Sequence, residues 1–79
     1  MDNLNERYEL LERLLDEEKI YLDRELTFSR LCAWLNVPVV VMDSLLMHEL
    51  GVDGERLLEL FRAGEAARLH ELYGIEAFF

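Results

Sequence analysis

Cysteine, histidine and clustered carboxylates are the side chains through which a short chain most often does chemistry, and here the first two types amount to Cys32, His48 and His70. A closed zinc site takes about four Cys or His ligands at short fixed spacings, and these three scattered residues match no finger or ribbon. No Cys or carboxylate set stands at ligand spacing around both histidines, so neither metal binding nor acid–base catalysis is expected of them. His48 falls near a predicted helix C-terminus, where a protonated imidazole is favoured. Cys32 is the only cysteine and sits at a core-facing position, which makes it a small hydrophobe and not a nucleophile. A glycine-rich phosphate loop, a Ser/His/Asp set and a paired-carboxylate pocket are all missing, because the acids fall on helical faces among basic neighbours. The chain reads as a non-enzyme with no metal, cofactor or small-molecule ligand.

Recognition of nucleic acid would need cations. Seventeen acids stand against eight bases, for a net charge of −9, and no third of the chain is basic, whereas a nucleic-acid binder normally carries a basic patch or stripe. Most of these charges are expected to solvate helix faces. The start MDNLNERYEL is acidic, unlike a secretory signal, and no run approaches a membrane span, so a cytoplasmic protein without membrane contact is expected. With 79 residues the chain reads as one domain, 1–79, with a thin core. Lacking disulfide and metal, it must rely on packing or on a partner, and its 52% hydrophobic content leaves apolar surface for an interface.

The elements that would position these residues follow from apolar spacing. Leu4, Tyr8, Leu11 and Leu15 form one stripe with Leu14 beside it, and Asn3 with Glu6 has capping-box spacing, which predicts a helix over about 3–19. After an irregular IYLDRE, Thr27 stands as N-cap before Phe28, Leu31, Cys32 and Leu35, a helix over 28–35 that ends at Asn36 and Pro38. A third helix, 38–50, starts on proline and stops at Gly51. Its valines also suit a strand, but no second strand is available to pair with them. Asp53 caps a fourth helix, 54–73, with Leu57, Leu58, Phe61, Leu69 and Leu72 as apolar positions and a slim stretch of Ala63, Gly64, Ala66 and Ala67. The tail GIEAFF is short and apolar. The expected class is all-α, a small helix-turn-helix bundle of about four helices.

Two short helices joined by a tight turn over 28–50 have helix-turn-helix form, and the string from YLDRELTFSRLCAWLNVPVV to GEAARL resembles, without gaps, the first half of the AraC/XylS-type DNA-binding region, a homeodomain-like fold. The family's opening "L-T" reads Leu26-Thr27 here, its "Leu-Ala" step Leu31-Cys32, the following Leu is Leu35, and its "E-L-G" is Glu49-Leu50-Gly51. On the next helix the family's Arg, Ala and Leu match Arg62, Ala66 and Leu69. The opening ERLLDEEKIYLDRELT is similar to Bacteroidetes-type members, and the match spans about residues 7–70. The family's second helix-turn-helix is not in this sequence. What the resemblance implies is a module of transcription regulators whose third helix reads DNA.

The departures bear on that function. Where the family's recognition helix carries Ser and then polar or basic residues on its outward side, this chain has Pro38, Val39, Val40, Asp43, Ser44 and Met47, with no Lys or Arg in the helix. Bases are read through hydrogen bonds from Arg, Lys, Asn or Gln, and phosphates through Lys and Arg. Val39, Val40, Asp43, Ser44 and Met47 are therefore expected to form an outward face that meets a partner, with Val41, Met42, Leu45 and Leu46 toward the core. The leading expectation is a module degenerate for DNA reading that acts by protein–protein contact or self-association, through the third helix, the fourth or the tail. The alternative is a DNA-binding regulator using Arg30, Arg56, Arg62 and Arg68 on phosphates, and a lesser one is an acidic DNA mimic. Arg62 would pair with an acid of another helix or be exposed. Trp34, beside core positions, reads as a packing residue, with a dimer contact as its other role.

Overall fold

The computed structural model describes residues 3–76. Ala77, Phe78 and Phe79 of the apolar tail lie outside them. The described chain is all-α and contains no strand: α1 (Leu4–Asp16), a 3-10 turn (Ile20–Leu22), α2 (Phe28–Leu35), α3 (Val39–Leu50) and α4 (Gly54–Tyr73). Val39, Val40 and Val41 thus enter a helix, while Val37 lies in the turn before it.

Local chemistry explains each boundary. Asn3 Oδ1 accepts from the Asn5 amide at the head of α1, and the reciprocal bond from Glu6 is not made among the described residues. α1 ends at Asp16 instead of reaching Lys19. Asp16, Glu17 and Glu18 would place three negative charges on its negative C-terminal dipole, and Lys19 adopts the left-handed conformation, φ 51 and ψ 44. That reversal starts the 3-10 turn, which drives Tyr21 into the interior at 4% exposure. Thr27 Oγ1 caps α2 by accepting from the Arg30 amide at 3.2 Å. Asn36 closes it in the left-handed region, φ 56, a conformation asparagine tolerates better than other non-glycine residues.

Pro38 precedes α3, and its carbonyl accepts from the amides of Val41 and Met42, both at 3.1 Å. The chain turns through 103° between α2 and α3 across three residues. Gly51, at φ 76, ends α3. Asp53 Oδ1 then caps α4 by accepting from the Arg56 amide at 2.9 Å.

The core gathers one side of every element: Leu11 and Leu15 of α1, Tyr21, Leu26, then Phe28, Leu31, Cys32 and Leu35 of α2, Met42 and Leu46 of α3, and Leu58 of α4. Half of the eight-residue α2 is buried, which makes it the pivot on which the longer helices rest. Each fully covered leucine contributes about 1.5–3 kcal/mol. Leu57, Phe61 and Leu69 of α4 are half-buried, but Leu72, expected on the apolar face, is 61% exposed. The last two turns of α4 are exposed apart from Leu69.

Among the described residues no single helix is long and apolar enough to cross a membrane.

Candidate functional site

α3 is apolar almost all the way round, so its orientation decides which residues meet solvent. Met42 and Leu46 go inward and Leu45 is half-buried. Val40 is 77% exposed and Met47 54%, one face at i, i+7 spacing with exposed Ser44 between them. Two of the valines are exchanged relative to expectation. Val41 faces solvent at 40% exposure while Val39 is half-buried against the core. A helix with so little contrast between its faces gives the sequence pattern almost nothing to choose by. Leu50, 51% exposed, extends the apolar surface toward the end of the helix.

Asp43 does not belong to the outward face. Its Oδ1 accepts from the Gly54 amide at 2.8 Å, so the carboxylate turns across the α3–α4 junction onto the head of α4. There it joins Asp53 in supplying acceptors and negative charge to the helix N-terminus. Close by, the Glu55 carboxylate accepts from the Phe28 amide at 2.7 Å and ties the heads of α2 and α4 together. Gly54 makes that approach possible: a Cβ there would lie 2.1–2.2 Å from the Phe28 ring.

The four arginines offered as phosphate contacts are placed very differently. Arg62 is not free, and among the described residues it pairs with no acid. Its Nε donates to the Tyr21 carbonyl at 2.9 Å, and its Nη2 donates to the carbonyls of Asp23 at 3.0 Å and Leu26 at 2.9 Å. The guanidinium fork therefore clasps the whole connection between α1 and α2. Arg68 bonds Glu65 on its own helix, and Arg56 bonds Glu59 at 3.0 Å. Arg30 is exposed and makes no ion pair among the described residues.

Glu65 is a residue that sequence reasoning missed. It is 9% exposed and accepts from Arg68 and, at 3.3 Å, from the Tyr21 hydroxyl, with Lys19 Nζ at 3.7 Å. The Arg68 hydrogen bond, ahead of the charges of Arg68 and Lys19, holds its carboxyl below the ordinary glutamate range against the opposing effect of burial. Burial of the Tyr21 side chain raises its phenol, and the Glu65 charge adds to the shift. Only the i, i+3 spacing to Arg68 hinted at this cluster.

Trp34 is 59% exposed, so it is not the packing residue expected of it. It lies outside the arc of α2 that buries Phe28, Leu31, Cys32 and Leu35. Cys32 is covered, and burial, followed by the Asp43 charge, pushes its thiol up to about 11. His48 and His70 are both exposed, and no cluster of metal-ligating side chains occurs among the described residues. A groove of about 280 Å³ runs between α1, α3 and α4, lined by Tyr8, Leu15, Leu46, Leu50 and Phe61. Comparison of the chain with protein-family models, curated proteins and solved structures gives no match.

Proposed function

We propose that the chain is a helix-turn-helix module of the AraC type, homeodomain-like in outline, in which α3 has exchanged DNA reading for protein contact. The 103° turn across three residues between α2 and α3 supports the first part, since helix-turn-helix pairs cross at about 90–120° over turns of three or four residues. The chemistry of α3 supports the second, and it is the observation that carries the reading: Val40, Val41, Met47 and Leu50 are exposed on a helix without Lys or Arg. Such side chains offer at most a thymine-methyl contact to DNA, whereas an apolar surface buried on a protein partner is favourable in proportion to its area.

Two of the arginines that would have to neutralise phosphates hold the fold instead, Arg62 on three carbonyls and Arg68 on Glu65. A partner built for this surface is another protein or a second copy of the chain. Light scattering over a concentration series tests the contact with a Val40→Glu, Met47→Lys variant. A lower mass than the parent fits self-association through α3, and an unchanged mass removes α3 from the contact between copies. The exposed, unpaired Arg30 is the one feature that favours the DNA-binding alternative, and salt-sensitive binding of a duplex, lost with Arg30→Ala, would put that alternative first.

A further inference from the structure

The solvent side of α4 carries a pattern that nothing so far uses. At about 100° of helical rotation per residue, Arg56, Leu60, Ala63, Gly64, Ala67 and Glu71 fall within an arc of about 100°. All six are exposed, Leu60 at 44% and the Arg56 side chain at 59%. The arc lies opposite the side that buries Gly54, Leu58 and Glu65.

This seam is complementary to its own reverse. Reversed about the midpoint between Ala63 and Gly64, Ala63 exchanges with Gly64, Leu60 with Ala67, and Arg56 with Glu71. A helix laid antiparallel on an identical helix therefore sets leucine against alanine, keeps the centre slim and matches a cation with an anion at both ends. Laid parallel and in register, the same seam would set Arg56 against arginine and Glu71 against glutamate, which is repulsive. A two-fold contact is isologous, with each residue of a pair meeting its counterpart twice, so this order of charges selects one occupant and one orientation. Nothing lies within 4 Å of where a Gly64 Cβ would stand, so the centre of the seam is open to an approaching helix. Glu71 makes no ion pair among the described residues, and Arg56 has only the exposed Glu59 beside it.

We infer that a second copy of this chain docks antiparallel along α4, with Arg56 of each copy against Glu71 of the other. The contact is separate from the α3 surface and leaves both α3 faces uncovered.

Charge exchange tests the inference. Arg56→Glu puts an acid in the first turn of α4 and Glu71→Arg puts a cation in its last turns, both favoured by the helix dipole, which offsets the loss of the exposed Arg56–Glu59 pair and keeps α4 helical. The two singles are expected to raise the dimer dissociation constant about tenfold or more, because two attractive pairs become repulsive ones. The Arg56→Glu, Glu71→Arg double variant is expected to bring it back to near the parent value, read by sedimentation equilibrium with helicity followed by circular dichroism. A parent that stays monomeric throughout the concentration range, singles that associate like the parent, or a double variant no better than the singles would each overturn it. The Val40→Glu, Met47→Lys variant leaves this dimer intact, so failure here and failure of the α3 contact are read separately.

Discussion

Replacing Arg62 tests the most consequential reassignment, from phosphate contact to structural clasp. Its guanidinium serves the carbonyls of Tyr21, Asp23 and Leu26, residues 36 to 41 positions away in the chain. Hydrogen bonds to a charged donor contribute about 1.5–3 kcal/mol when shielded. Two of these three are partly buried and the Asp23 bond is exposed, so water replaces the third at little cost. Discounting the other two for partial exposure leaves about 2–4 kcal/mol for Arg62→Met. In a chain of this size that corresponds to a fall in melting temperature of about 10–25 °C. Arg62→Lys retains the charge but not the fork, and it should recover less than half of the loss. The bonded carbonyls are neutral, so the destabilisation should persist at high salt, unlike a surface ion pair. Urea and thermal unfolding followed at the helical circular dichroism band measure all three effects. A change below about 0.5 kcal/mol, typical of a neutral surface substitution, would refute the clasp.

Gly54→Ala should destabilise by about 1–3 kcal/mol through overpacking on the Phe28 ring, although alanine is the better helix former by about 1 kcal/mol; a melting temperature equal to or above the parent's would contradict that. Glu65, whose folded-state carboxyl lies below its ordinary value, adds stability that is complete above the unfolded glutamate pKa of about 4.3. That contribution is lost as pH falls through the lowered folded value, so Glu65→Gln should flatten the acid limb of a plot of urea midpoint against pH, and an identical limb would rule the cluster out as its source. Cys32, buried with its thiol pushed up to about 11, should react with a thiol reagent only on unfolding. A fast reaction in the native state would show that the core is not closed there.

Much of the fold is legible in particular residues. Thr27, Asn36, Gly51, Asp53 and Gly74 punctuate the helices through capping oxygens and left-handed closures, and these are local properties of single side chains. The core of α2 is legible because Phe28, Leu31, Cys32 and Leu35 share one arc, whereas Trp34, read as a packing residue from its place beside them, stands outside that arc and is exposed. Tyr21 was not, since three residues of 3-10 helix have no period to detect. Arg62 and Asp43 escaped for another reason: their acceptor and donor are backbone groups brought near by the turns, and backbone groups carry no sequence signature. For α3 the limit is contrast. With valine, methionine or leucine at most positions, the face that turns inward depends on how Pro38 and Gly51 aim the helix, and Val39 and Val41 exchange sides accordingly.

The proposal that α3 meets a protein and not DNA is tested most directly by fluorescence anisotropy of a labelled mixed-sequence duplex titrated with the protein at low salt and again as salt rises. DNA-binding modules retain sequence-independent affinity, with a dissociation constant of about 10⁻⁴–10⁻⁶ M even at physiological salt. No rise in anisotropy up to that range at low salt is the predicted result. Saturable binding that weakens steeply with added salt would contradict the account and return α3 to the DNA groove.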